Sequence, residues 1–266
     1  MDHPRATFRE SGHGTSIVCL HSSASSSAQW RPLMDRLGCR YRTLAADLYG
    51  SGKSPTWPAL RPMSLADEVA RLDPVLAAAG ARYHLVGHSY GGAVALRAAL
   101  DLPAGDVRAL VLYEPTLFAL VDAESPPPNE ADGIRGAVAE SAAALDRGDR
   151  HAAAQAFIDY WMEEGAFRRM PEARREPIAA AAVNVRRWAH ALHREPTPLE
   201  AFRRLEMPVL LLVGGRTTPS ARGVARLLAA TLPRVEVQEF PELGHMGPVT
   251  HPEPVNAAIA RFLERA

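Results

Sequence analysis

The sequence predicts an α/β fold, a doubly wound and mostly parallel sheet into which one block of helices is inserted. Three observations carry that expectation. Short apolar, β-branched runs alternate with helical stretches in the first and last parts of the chain, the pattern of repeated strand-helix-strand units. The run Val209-Leu210-Leu211-Leu212-Val213 is continuously apolar, as a parallel strand covered on both faces should be. Between them, residues 116–200 show no strand pattern but long amphipathic stretches rich in Ala, Glu and Arg. At 266 residues the chain suits one domain with an insertion. The predicted division is a core of 1–115 and 201–266 and a helical cap of 116–200 inserted after the strand ending at Glu114.

Taken in order, Thr15–Leu20 is a β-branched run that predicts a buried strand ending at His21. A small, polar loop, Ser22–Ser27, leads to a helix from Trp30 to Leu37. Tyr41–Asp47 reads as a second strand, and the glycines and proline of Leu48–Pro55 make the next stretch a turn. Ser64, with Asp67 and Glu68 behind it, is placed to cap a helix running to about Ala79. Ala81–Val86 is the next strand and Ala93–Leu100 the next helix. Val107–Tyr113 is a strand that stops at Glu114-Pro115. The core resumes with a strand over Met207–Gly214, a helix over 219–231, a strand over Val235–Phe240, the loop Pro241–Pro248 and a closing helix from about Pro252 to Leu263.

Composition removes several classes of function. Hydrophobic residues at 47% and charged residues at 23% are ordinary for a soluble globular protein. The formal net charge is +0, with no basic tract of five or more, so neither nucleic acid nor an anionic membrane surface is an expected partner. The insertion holds ten Arg against fourteen Asp plus Glu, so its Arg doublets are solvated faces. Lys53 is the single lysine, which reads as coding bias. Cys19 and Cys39 do not make a disulfide framework. Met1–Arg5 lacks the apolar stretch of a signal peptide, and no apolar run approaches membrane-spanning length. The expectation is a cytoplasmic protein acting on a small molecule. Oligomeric state is not written in the sequence. The histidines are not grouped with carboxylates or thiolates at ligand spacing, so neither a metal nor another cofactor is expected.

The chemistry concentrates at Leu85-Val86-Gly87-His88-Ser89-Tyr90-Gly91-Gly92, where a serine lies between a predicted strand and a predicted helix. A turn that sharp strains the serine backbone and leaves room only for Gly two positions to either side. The helix N-terminus directs backbone N–H groups at any negative charge forming there. A serine hydroxyl needs a base to become a nucleophile at neutral pH. His245 is the best placed, in the glycine-flanked loop Leu243-Gly244-His245-Met246-Gly247-Pro248 after the last strand, although loop histidines are often only solvated. Serine first and histidine near the C-terminus is the order in which such turns meet their partners. His88 should point away from the serine, His21 belongs to a neighbouring loop, and His190 and His193 lie in the insertion, where they could at most line a pocket.

With these motifs the chain resembles α/β-hydrolases of the lidded, single-domain esterase and lactonase type. The resemblance rests on His21 and its loop, Asp47-Leu48-Tyr49-Gly50-Ser51-Gly52-Lys53-Ser54, Gly87 to Gly92 and Gly244-His245. It covers about residues 8–115 and 203–266. It implies a Ser-His-acid triad and an oxyanion hole made by the backbone N–H groups of Tyr90 and Ser23, the second where Ser22 replaces the usual glycine. Asp47 would brace the turn that follows it.

Most relatives carry the acid in the loop after the strand equivalent to 207–214. Here that loop is Gly214-Gly215-Arg216-Thr217-Thr218-Pro219, without a carboxylate, and no aspartate follows Asp159. Either the triad is incomplete or the acid is elsewhere. Glu114 sits at the end of the preceding strand, a seat certain haloalkane dehalogenases use, though a residue there could instead form an ion pair. A dehalogenase or an epoxide hydrolase mechanism itself needs a carboxylate nucleophile, which Ser89 excludes. The expected function is hydrolysis of a carboxylic ester or lactone of a small apolar substrate through an acyl-enzyme. Carbon-carbon bond hydrolysis of a β-diketone, and a ligand-binding protein with a vestigial site, stand as alternatives. Trp30, Tyr160, Trp161, Trp188 and Met246 are candidate pocket residues, with packing as their other reading.

Overall fold

The computed structural model describes residues 7–266. The terminal Met1–Arg5, on which the expectation about a signal peptide rests, lies outside the described residues. The described residues form seven strands: β1 (Phe8–Ser11), β2 (Thr15–Leu20), β3 (Tyr41–Ala46), β4 (Tyr83–His88), β5 (Val107–Tyr113), β6 (Val209–Gly214) and β7 (Val235–Phe240). They make one sheet in the order β1-β3-β2-β4-β5-β6-β7. Strand β1 is antiparallel to β3 and every other pairing is parallel. The edge strand β1 has no counterpart in the sequence reading, because its residues, Phe-Arg-Glu-Ser, neither alternate cleanly nor form an apolar run.

The described residues form thirteen α-helices, in chain order α1 (Arg31–Leu37), α2 (Leu65–Arg71), α3 (Asp73–Ala79), α4 (Tyr90–Asp101), α5 (Ala119–Glu124), α6 (Asp132–Asp146), α7 (Arg150–Trp161), α8 (Ala166–Arg169), α9 (Glu172–Ala181), α10 (Val185–His193), α11 (Pro219–Thr231), α12 (Gly247–Thr250) and α13 (Pro252–Leu263). The strand period of two separates two cores. Ile17, Cys19, Val86, Val111 and Leu212 pack under α1 and α13. Val18, Leu20, Leu85, Leu112 and Leu211 pack on the other face, with α2, α3, α4 and α11. Ser64 caps α2 through a full capping box with Asp67. The single helix predicted to Ala79 is two, since Pro74 has no N–H to continue the ladder and α3 starts afresh around it. Helices α5–α10 all lie between β5 and β6. Among the described residues no helix is long and apolar enough to cross a membrane. Both cysteines are free, Cys19 buried and Cys39 exposed.

The register places the site. Leu20 pairs with Gly87, His88 with Tyr113, and Tyr113 with Leu212, so β2, β4 and β5 end near one level while β6 runs on to Gly214. The chain runs from β2 to one side and, after β3, to the other, which opens a crevice beyond their carboxyl ends. The residues that follow β4, β5 and β6 face it.

Candidate active site

Ser89 follows β4 and precedes α4 with φ 56° and ψ −118°, a conformation L-residues avoid and that costs about 1–3 kcal/mol. The surrounding glycines make it possible. A Cβ on Gly87 would come 2.6 Å from the carbonyl oxygen of Gly91, and one on Gly91 would strike the carbonyl oxygens of Leu20 and His21. The turn is tied down from β5: Ser89 N–H donates to Tyr113 O at 2.9 Å.

Glu114 continues β5, also with a positive φ of 43°. Its carboxylate is fully buried and accepts three hydrogen bonds. Gly214 N–H donates to Oε1 at 2.6 Å, and Thr217 Oγ1–H and His245 Nδ1–H both donate to Oε2 at 2.6 Å. The loop that lacks an acid of its own thus supplies two donors to an acid on the neighbouring strand. With Nδ1 protonated against Glu114, the other ring nitrogen is an acceptor, and it lies 2.8 Å from Ser89 Oγ. Ser89, His245 and Glu114 therefore meet in one line, all buried.

His245 is fixed on three sides. Tyr113 Oη–H donates to Gly244 O at 2.8 Å, and His88 Nε2–H donates to His245 O at 2.9 Å. Trp161, from α7, stacks on the imidazole with ring centroids 4.0 Å apart and planes 26° apart. His88 does point away from Ser89, and it belongs to a chain not visible in the sequence: Gln29 Nε2–H donates to His88 Nδ1 at 3.0 Å, while Gln29 Oε1 accepts from the N–H and the hydroxyl of Ser22 at 3.2 and 3.1 Å. Gln29 so couples the loop carrying Ser23 to the loop carrying His245. Burial, followed by the proximity of His245, holds the His88 pKa well below the ordinary histidine value, which keeps it neutral in this role.

His21 and Asp47 are braces. His21 Nδ1–H donates to Ser22 O at 2.7 Å, and His21 Nε2 accepts from Leu48 N–H at 3.1 Å. Asp47 accepts from Ser27 N–H at 2.7 Å and from Lys53 N–H at 3.1 Å. Beneath Tyr90, buried Glu68 accepts from Tyr90 Oη–H and from Tyr49 N–H, both at 3.1 Å. Burial pushes the Glu68 carboxyl up to about 7.

A cavity of about 600 Å³ opens over Ser89 and His245. One wall is the serine-rich loop from Ser22 to Ser26. The opposite wall is apolar and comes from the inserted helices, including Phe157, Ile158, Trp161 and Ile178, with Met246 beside His245. Trp188 lines a smaller chamber behind Ser89, together with Ser23 and Trp161. Two candidate pocket residues lie elsewhere. Trp30 is buried among Ile17, Leu33 and Val86 under α1, on the sheet face away from the inserted helices, where a large apolar ring at a helix start contributes most. Tyr160 adjoins Trp161 on α7, and neighbouring residues on a helix face about 100° apart. With Trp161 turned to the site, Tyr160 turns to α11, where its hydroxyl meets Ser220 Oγ at 2.7 Å.

A profile of the alpha/beta hydrolase family matches residues 17–258. The pimeloyl-[acyl-carrier protein] methyl ester esterase of Chromobacterium violaceum is 28% identical over 255 residues, 95% of this chain and 96% of that one. The N-formylmaleamate deformylase of Pseudomonas putida is 27% identical over 274 residues, 97% and 91% of the two chains. Among solved structures, an esterase from Exiguobacterium antarcticum matches with a TM-score of 0.80 at 17% identity, covering 97% of this chain and 95% of that one, a likeness of fold.

Proposed function

As a hydrolase of the alpha/beta hydrolase family, to which the chain belongs, it cleaves a bond with water, and we propose that the bond is a carboxylic ester or lactone of a small apolar substrate, cut through an acyl-enzyme on Ser89. One observation carries the reading: Ser89 Oγ is 2.8 Å from His245 Nε2, while His245 Nδ1 is 2.6 Å from a carboxylate that is fully buried. The two relatives aligned along most of their length are by name a methyl ester esterase and a deformylase, which fits acyl transfer to serine.

In this reading His245 takes the Ser89 proton as the oxygen attacks the carbonyl carbon, and Glu114 stabilises the imidazolium that results. The oxyanion is met by the N–H groups of Tyr90, first residue of α4, and Ser23. Tyr90 N–H has no partner within its helix, as the first N–H groups of any helix do not. His245 then gives its proton to the leaving alcohol. Water, deprotonated by His245, attacks the acyl carbon and Ser89 leaves with the proton. The strained backbone of Ser89 is the cost of presenting Oγ to both partners at once.

A vestigial binding site was suggested only by the missing acid in the loop 214–219. Glu114 against His245 removes that motive. The test is rapid-mixing kinetics and intact-mass measurement over acyl esters, lactones and β-diketones. Ester or lactone turnover with a burst and an acyl adduct on Ser89 supports the proposal. Turnover of β-diketones alone would favour carbon-carbon cleavage, and binding without turnover would favour the ligand-binding reading.

A further inference from the structure

Beside Ser89, sharing Ser23, Phe157 and Trp161 with the wall of the large cavity, lies a small chamber of about 10 Å³, room for one water-sized group. Its wall is mostly apolar, with Phe118, Trp161 and Trp188 among its residues, yet it also includes Thr116 and His193. Thr116 Oγ1 and His193 Nε2 are both shut off from solvent, and among the described residues no group pairs with either. Two independent buried polar atoms at one small chamber beside a nucleophile are not explained by packing, since each unpaired group is costly.

His193 is set up as an acceptor. Its Nδ1–H donates to Asp122 Oδ2 at 3.0 Å. Asp122 Oδ1 is held in turn by Arg135 at 2.7 Å and Asn129 at 2.9 Å. Burial lowers the His193 pKa, which favours the neutral ring with a free lone pair on Nε2. Thr116 can donate. The chamber and the large cavity divide the substrate between them: His245 lines the large cavity and not the chamber, so the leaving group that His245 must protonate belongs in the large one. Ser89 and Ser23 line both cavities, so with the leaving group placed in the large one the chamber is left to the acyl side.

We propose that the chamber is a subsite for a hydroxyl carried by the acyl group one or two carbons from the carbonyl, donating to His193 Nε2 and accepting from Thr116 Oγ1. The substrate class is thus a hydroxyacyl ester or lactone rather than a plain alkanoate. This rests on the acyl-enzyme reading above.

The test compares kcat/KM for methyl 3-hydroxybutanoate against methyl butanoate, and methyl lactate against methyl propanoate, by pH-stat, with a fluorophosphonate probe reporting on Ser89. The hydroxy ester of at least one pair is expected to be favoured about tenfold or more, because its absence leaves two buried groups unpaired. Thr116→Val, which keeps the side-chain shape, and His193→Leu should each bring that ratio toward one. Equal turnover within both pairs, turnover of no ester while the probe labels Ser89, or a ratio unchanged in both variants overturns the subsite. Absence of labelling in folded wild type overturns the acyl-enzyme reading instead.

Discussion

Replacing Glu114 by Gln changes one atom of a carboxylate that accepts three hydrogen bonds and is sealed from solvent. Neither orientation of the amide satisfies the site. With the amide oxygen toward His245 and Thr217, its NH₂ faces Gly214 N–H across the 2.6 Å that now separates donor from acceptor. With the amide reversed, NH₂ faces His245 Nδ1 and stabilises the tautomer protonated at Nε2, which cannot take the Ser89 proton. In both, the imidazolium loses its counter-charge. An amide in place of a triad carboxylate lowers kcat about 10⁴-fold where the geometry survives, about 5.5 kcal/mol of transition-state stabilisation. Here the expected loss in kcat/KM is about 10³ to 10⁴, with a stability loss of about 1–3 kcal/mol from the opposed donors. Stopped-flow hydrolysis of a p-nitrophenyl ester and urea denaturation measure the two. A folded Glu114→Gln variant within tenfold of wild type would refute the assignment of Glu114 as the triad acid.

Other substitutions probe the supports. Gly91→Ala forces a methyl onto the carbonyls of Leu20 and His21 and should cost at least the 1–3 kcal/mol typical of overpacking, roughly, by urea denaturation. Gln29→Leu cuts the link between Ser22 and His88 and should lower kcat by about tenfold, short of the 10² to 10³ expected for deleting an oxyanion donor outright. Glu68 has its folded pKa raised from 4.5 to about 7, so it stabilises the fold fully below pH 4.5 and that contribution is lost as pH rises to about 7. Glu68→Gln mimics the protonated form; its stability relative to wild type should therefore rise between pH 4.5 and 7, by an amount on the order of 3 kcal/mol. A difference between the two proteins that does not change with pH would count against this.

The fold was legible where local signals agreed with the sheet. The continuous apolar run of β6, the start of α11 with Thr218 as cap and Pro219 as first residue, and the strand-turn-helix at Ser89 each carry their own reason in a few residues. Strand β1 does not: it is polar and its place is set by pairing with β3, a contact the local sequence cannot show. Trp30 and Tyr160 were legible as large aromatics but not as to facing, which depends on helix rotation against neighbours. The candidate acid was found through what the loop 214–219 lacks. That Thr217 and Gly214 N–H turn that loop into a donor for Glu114 was invisible, since a threonine and a glycine have many uses. Gln29 left no signal either, because its partners are 7 and 59 residues away.

The most direct measurement of the central claim is covalent labelling with a fluorophosphonate at neutral pH, followed by peptide mapping. The expected result is one adduct per chain, on Ser89, absent in Ser89→Ala and strongly slowed in Glu114→Gln. A folded wild-type protein that takes no label, or takes it at another residue, would contradict a Ser89 nucleophile driven by His245 and Glu114.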